Sequence, residues 1–238
     1  MAWDKRRRDR VDDNGESKTE GKPARIRAGL ARSVRRLHHR ETFTLGAPFL
    51  ALGRKQQAWV GAGRTAANVA LESLIRTIPD FPLPGILFRD ITPLLKDPTG
   101  FREMIDLFVA RFEHESIGQV VAIEARGYML GAPLAYRLGA GFVPVRKPGK
   151  LPAAKHAESY TLEYGTNSLE IHDDAVGCGE RVVVVDDLLA TGGTAAATGR
   201  LLERLGAHIV GFAFLIELSE LDGRRTLQGY DITTFLRY

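Results

Sequence analysis

Residues 182 to 194 bring together more chemically useful side chains than any other stretch of this chain: Val182-Val183-Val184-Val185-Asp186-Asp187-Leu188-Leu189-Ala190-Thr191-Gly192-Gly193-Thr194. Four β-branched residues in a row read as a strand covered on both faces. The strand ends in two carboxylates, and a short loop of small and hydroxyl residues leads into a helix. A helix start offers backbone N–H groups with no intrahelical partner and the positive end of the helix dipole. Gly192 and Gly193 let the backbone approach an anion closely, and Thr191 and Thr194 add hydroxyl donors. Together, Ala190 to Thr194 make a phosphate cradle. Asp186 and Asp187 would repel a phosphate aimed at them. They suit ribose hydroxyls, or a metal ion held through water. The implied ligand therefore carries a phosphate and a sugar diol close together. No Gly-Lys-Ser/Thr follows, so this is not the P-loop pattern, and the glycine spacing is not that of the dinucleotide fingerprint.

The elements that must position these groups follow from periodicity. Leu71, Leu74, Ile75 and Ile78 recur at helical spacing, which predicts a helix begun by Asn68 and ended by Pro79. Pro82, Pro84 and Gly85 force an irregular stretch. Asp97 and Pro98 open a second helix whose stripe is Phe101, Met104, Ile105, Phe108 and Phe112. Val120–Glu124 and Phe142–Val145 read as strands on either side of a helix at Tyr128–Leu138. Tyr160–Glu163 and Ser168–Ile171 suggest a hairpin. Thr194–Leu205 is a helix closed by Gly206, and Ile209–Leu218 is a further strand. This alternation predicts an α/β fold with a central parallel sheet flanked by helices. Ligands in such sheets sit at the carboxyl ends of the strands.

The hydrophobic strand, acid pair and Thr-Gly-Gly-Thr loop of residues 182–194 resemble the phosphoribosyl-pyrophosphate signature of the type I phosphoribosyltransferases. Phe81-Pro-Leu-Pro-Gly85-Ile-Leu87-Phe88-Arg89-Asp90-Ile91 is similar to the N-terminal part of the adenine-specific members, where it forms a small hood over the base. The resemblance implies that Leu87 and Arg89 contact adenine, with an apolar side chain on the purine face and backbone groups on its edge. Read by itself, Arg89 could equally be a surface partner of Asp90 or another acid. Glu124-Ala125-Arg126-Gly127 resembles the family's pyrophosphate turn, which implies contacts from the backbone at Ala125 and from Arg126. Family members often have Ser where Ala125 stands. Arg146, Lys147 and Lys150 lie on a basic loop that fits the charge of a departing pyrophosphate. Ser159-Tyr160-Thr-Leu-Glu163-Tyr164-Gly165 looks like the family's flexible flap.

The activity implied is formation of AMP and pyrophosphate from adenine and phosphoribosyl pyrophosphate, in purine salvage. The catalytic set implied is Arg126, Asp186, Asp187 and Glu163, with Glu163 handling the purine proton. Read alone, Glu163 could also be an exposed flap carboxylate. Tyr164 would help the flap exclude water. Mg²⁺ is the expected cofactor, carried mainly by substrate oxygens with Asp186 or Asp187 in support. No His and Cys cluster suggests a tightly held metal. A homodimer is also implied.

The chain has 238 residues and a net charge of +4. Up to Arg64 there are 16 Lys and Arg against 7 Asp and Glu, so the remainder is acidic. Residues 1–65 read as a basic, disordered extension, and 66–238 as the phosphoribosyltransferase domain. The extension could be a tail, a nucleic-acid-binding arm, or a stretch ahead of the true translation start. A run of about 18 apolar residues is absent, so no membrane partner is expected. The single cysteine, Cys178, fits a reducing cytoplasm. Two alternatives remain at this point. One is the same reaction on hypoxanthine, guanine, xanthine or orotate. The other is a regulator that senses phosphoribosyl pyrophosphate and binds DNA. Residues 1–65 lack the two patterned helices of a helix-turn-helix, so a nucleic-acid partner is not expected.

Overall fold

The computed structural model describes residues 66–162 and 165–238. The extension 1–65 and the flap residues Glu163 and Tyr164 lie outside the described residues. In chain order the elements are α1 (Ala66–Ser73), β1 (Arg76–Ile78), β2 (Phe88–Asp90), α2 (Thr92–Lys96), α3 (Pro98–Phe112), β3 (Gln119–Ile123), α4 (Arg126–Leu138) and β4 (Gly141–Val145). Then come β5 (Lys155–Leu162), β6 (Gly165–His172), β7 (Arg181–Leu189), α5 (Gly193–Arg204), β8 (His208–Glu217), α6 (Gly223–Thr226) and β9 (Ile232–Arg237).

The valine run sits in β7, at the middle of a five-stranded sheet of order β4-β3-β7-β8-β9. All four pairings are parallel. Alternation along β7 sends Val183 and Val185 into one core, with Met104, Phe108, Leu130 and Leu134 from α3 and α4. It sends Val182 and Val184 into a second core, with Ala197, Leu201 and Leu202 of α5 and with Leu169 and Ile171 of β6. A strand buried on both faces has no use for polar residues, which is why the run is continuous rather than alternating.

Two small antiparallel pairs flank this sheet. β1 and β2 form the hood, with Thr77 opposite Arg89. β5 and β6 form the flap hairpin, paired from Lys155 opposite His172 to Leu162 opposite Gly165. Both strands begin earlier than the sequence suggests, β5 at Lys155 rather than Tyr160 and β6 at Gly165 rather than Ser168.

The first helix is shorter than its spacing predicts. It ends at Ser73, and Arg76–Ile78 is a strand. Leu71 and Ile75 are buried all the same. The strand wins because Arg76 reaches Asp90 at 2.5 Å and the backbone finds partners on β2. Tertiary pairing here overrides a helical pattern only three turns long.

Asp97 caps α3 as expected, accepting from the N–H groups of Thr99 (3.1 Å) and Gly100 (2.7 Å). The predicted stripe is the buried one, with Phe101 at its margin. Sequence periodicity does not reveal α2, α6 or β9, which are short or follow irregular stretches. Replacing Asp97 with Ala leaves those two donors to water and should cost about 1 kcal/mol. Urea denaturation should show a lower midpoint with unchanged slope.

Candidate active site

The strand order reverses direction between β3 and β7, and the chain leaves both strands at the same end of the sheet. Open α/β sheets bind ligands at such a point. A cavity of roughly 200 Å³ lies there, lined by Arg126, Asp186, Asp187, the stretch from Leu188 at the end of β7 to Ala195 in α5, and Phe214. It therefore gathers Arg126, both acids and all five cradle residues of the sequence reading.

The acids lie within the strand rather than after it. β7 runs on to Leu189 because β8 is long enough to keep pairing with it, Leu188 opposite Ile216 and Leu189 opposite Glu217. Asp187 is only 3% exposed. Its carboxylate meets Arg126 Nε at 2.9 Å. Asp186 Oδ1 accepts from the Asp187 N–H at 2.9 Å. Burial, and next the charge of Asp187, push the Asp186 pKa well above the usual carboxylate value. Burial also raises Asp187, against the opposing pull of Arg126. The site thus holds two adjacent carboxylates, Asp187 buried and paired with Arg126 and Asp186 partly exposed at the cavity.

Arg126 opens α4, directly after Ala125, which is that helix's N-cap residue. The helix can start here because Gly127 lets it come close to β7. A Cβ at Gly127 would stand 2.8 Å from the Val185 carbonyl oxygen and 3.0 Å from Asp186 Oδ1. The Arg126 guanidinium also lies over the Phe88 ring, 5.5 Å from its centroid, which links the hood to the crevice.

The cradle rests on a support that the sequence reading misses. Gly192 has φ +79°, a left-handed conformation that favours glycine, and a Cβ there would lie 2.6 Å from the Gly223 carbonyl oxygen. A Cβ at Gly223 would lie 2.2 Å from the Ala190 carbonyl oxygen. Thr226 Oγ1 donates to the Thr191 carbonyl at 2.7 Å. α6 is fixed in turn by Arg224, which donates to both carboxylate oxygens of Glu217 at 2.8 and 2.9 Å. Only the glycine at 223 hints at this from sequence, and one glycine is a weak signal.

The basic loop does not line the cavity. Two of its charges, and one backbone N–H, are gathered by Glu124, a motif residue to which the sequence assigns no role. Glu124 accepts from Lys150 Nζ and from the Lys147 N–H (3.1 Å), and lies 3.4 Å from Arg146 Nε. Burial works to raise the Glu124 pKa, but the Lys150, Lys147 and Arg146 contacts hold it below the usual carboxylate value. Glu170 braces the same loop by accepting from the Gly149 N–H at 3.0 Å. The Glu124-Ala125-Arg126 turn therefore ties the basic loop on one side and the acid pair on the other.

In the hood, Leu87 is 54% exposed. Arg89 does not pair with Asp90, which Arg76 occupies. Its Nη1 donates to Thr77 Oγ1 at 2.5 Å, and its guanidinium stacks 3.9 Å from the centroid of the Tyr238 ring. Phe81 packs edge-on against Phe88 at 5.1 Å. Glu163 and Tyr164, between the paired Leu162 and Gly165, lie outside the described residues. Among the described residues no group of three or more His, Cys, Asp or Glu could hold a metal ion. Among them, too, no helix is long and apolar enough to cross a membrane.

This sheet and crevice define a phosphoribosyl transferase domain, and residues 91–235 match the model of that family. Adenine phosphoribosyltransferase of Acaryochloris marina is 63% identical over 168 residues, 71% of this chain and 99% of the relative. That of an Anaeromyxobacter species is 57% identical over 174 residues, 73% and 98% of the two chains. The crystal structure of adenine phosphoribosyltransferase from Thermoanaerobacter pseudethanolicus superposes with a TM-score of 0.70 at 54% identity, covering 72% of this chain and 99% of its own. The Saccharomyces cerevisiae enzyme, solved with an imino-altritol bisphosphate and adenine, gives 0.69 at 39% identity, covering 72% and 99%. The chain belongs to the adenine phosphoribosyltransferases of this family.

The acid pair sets a pH dependence of stability. A carboxylate whose folded pKa is raised binds more protons folded than unfolded, so its contribution is favourable below the unfolded value and is lost as pH rises through the folded one. At neutral pH the ionised Asp186 is therefore destabilising. Asp186→Asn, measured in EDTA, should raise the melting temperature at pH 7, by about 2–4 °C for each kcal/mol of relief. The gain should shrink toward zero as pH falls below 4, while activity is lost. Equal gain at every pH would show that the carboxylate's charge is not the cause.

Proposed function

We propose that this chain joins adenine to the ribosyl group of phosphoribosyl pyrophosphate, forming AMP and releasing pyrophosphate. The observation that carries the reading is the acid pair of β7 set beside a glycine- and threonine-rich helix start in one cavity. The identity to the adenine phosphoribosyltransferases supports the choice of base.

The 5′-phosphate is held by the loop Ala190 to Thr194, whose N–H groups and hydroxyls sit at the start of α5. Asp186 and Asp187 receive the ribose 2′- and 3′-hydroxyls, which supply the donors that desolvated carboxylates lack. Adenine attacks the anomeric carbon as the bond to pyrophosphate breaks, and the leaving group departs with the electron pair. Arg126, Arg146, Lys147 and Lys150 face the charge that develops on it. In the structure Arg126 is paired with Asp187, and Arg146 and Lys150 with Glu124. Pyrophosphate binding then exchanges these partners rather than meeting bare cations. Glu163 accepts the purine proton, and Tyr164 helps the flap exclude water that would otherwise capture the ribosyl cation. The apolar hood around Leu87 covers one purine face, and Arg89 contributes backbone, its side chain being held by Thr77 and Tyr238.

The donor set fits Mg²⁺, since Asp186 and Asp187 offer hard oxygens, but they are too few to hold it without substrate oxygens. When bound, the ion offsets the charge of the pyrophosphate group. The active form is a homodimer. Met129, Tyr136 and Phe142 stand exposed on α4 and on the edge strand β4, a surface that a second copy would cover. The cytoplasm, where a lone thiol such as Cys178 stays reduced, is the proposed compartment.

Purified protein with phosphoribosyl pyrophosphate, Mg²⁺ and each of adenine, hypoxanthine, guanine, xanthine and orotate decides the question. AMP should form from adenine, with no nucleotide from the others. The Asp186→Asn, Asp187→Asn double variant should lose at least a hundredfold in turnover. Nucleotide made from another base would overturn the reading of the hood.

A further inference from the structure

Among the described residues the flap hairpin touches the phosphate cradle at one polar point. Thr194 Oγ1 donates to the Tyr160 hydroxyl at 3.2 Å. Thr194 lies in the first turn of α5, and Tyr160 lies two residues before the last paired position of β5. The rest of the hairpin's grip on α5 is fixed and lies further from the crevice. Arg200 Nε donates to Glu158 at 2.6 Å, and Arg204 pairs with the other Glu158 oxygen. Arg204 Nη1 also donates to the Ala157 carbonyl at 3.2 Å. Strand alternation places Glu158 and Tyr160 on the same face of β5, the one turned to α5. The Tyr160 ring packs against the core shared by α5, β6 and β7. The hairpin is thus anchored by an ion pair at Glu158, and its next contact toward the tip is a single bond between two hydroxyls.

Proton counting shows what that bond can do. A threonine hydroxyl has one proton, and so does a phenol. In the structure the two hydroxyls share one bond, to which either can give its proton. A phosphate in the cradle offers acceptors and takes the Thr194 proton. Tyr160 then keeps its place by donating into Thr194 Oγ1. A hydroxyl that receives one hydrogen bond becomes a better donor of the next.

We propose that Tyr160 is a positioning residue for the 5′-phosphate. It fixes the Thr194 hydroxyl, and it makes phosphate occupancy felt on β5 two residues before its last paired position, Leu162. The inference rests on the phosphate cradle of the proposed function and adds a residue that does not line the cavity.

Tyr160→Phe removes the hydroxyl and leaves the ring in the core. Calorimetric titration of the full chain with ribose 5-phosphate, and separately with magnesium pyrophosphate, tests the proposal. One neutral hydrogen bond corresponds to roughly a fivefold change in affinity. The expected result is ribose 5-phosphate bound about fivefold more weakly, with pyrophosphate affinity and melting temperature unchanged. Equal ribose 5-phosphate affinity in both proteins overturns the proposal. So does parallel loss of both ligands with a lower melting temperature, which would make Tyr160 merely structural. No ribose 5-phosphate binding by the wild-type chain would sink the cradle itself, and the inference with it.

Discussion

Everything at the crevice depends on two adjacent carboxylates near the end of the central strand. Burial disfavours both charges, and the charge of Asp187 further disfavours that of Asp186. One ion pair, Arg126 with Asp187, makes the arrangement tolerable. The pair can form only because α4 begins immediately after β3 and lies against β7, a closeness that Gly127 permits. The strongly polar part of the molecule is therefore a consequence of its most apolar part. The valine run fixes β7 in the middle of the sheet, and the acids follow wherever that strand ends.

The cradle is organised on the same principle of support from beneath. A loop that presents N–H groups to an anion cannot also use them to hold itself in place. Its shape must come from its other side, and α6 supplies it through Gly223 and Thr226. Glu217 anchors that helix through Arg224, and it meets Arg237 at 3.1 Å as well. Glu217 is buried, which would raise its pKa, but Arg224, Thr234 and Arg237 together hold it low. A charged network at the ends of β8 and β9 thus stiffens a loop that has no charge of its own.

The three cations of the loop after β4 raise the opposite difficulty, because they repel one another. Glu124 and Glu170 answer this by accepting from the loop that carries Arg146, Lys147 and Lys150. Since Glu124 sits two residues before Arg126, one turn coordinates both halves of the charge balance. The hood joins the same turn through Phe88 and Arg126.

Much of this was legible in the amino-acid order. Val182 to Thr194 states a strand, an acid pair and a helix start rich in glycine and threonine, because each depends on local residue type and spacing. The Asp97 cap and the α3 stripe are local in the same sense. The sheet class follows from the alternation of elements. Tertiary structure alone decided the rest. Arg76–Ile78 became a strand because β2 offered it partners, although its spacing fits a helix. β7 ran past the acids because β8 was there to pair with it. The partners of Arg126, Arg146, Lys150 and Arg89 are Asp187, Glu124 and Tyr238, 22 to 149 positions away, together with Thr77, 12 positions from Arg89. A side chain's charge is written in the sequence, but its partner is chosen by whichever element folding brings alongside.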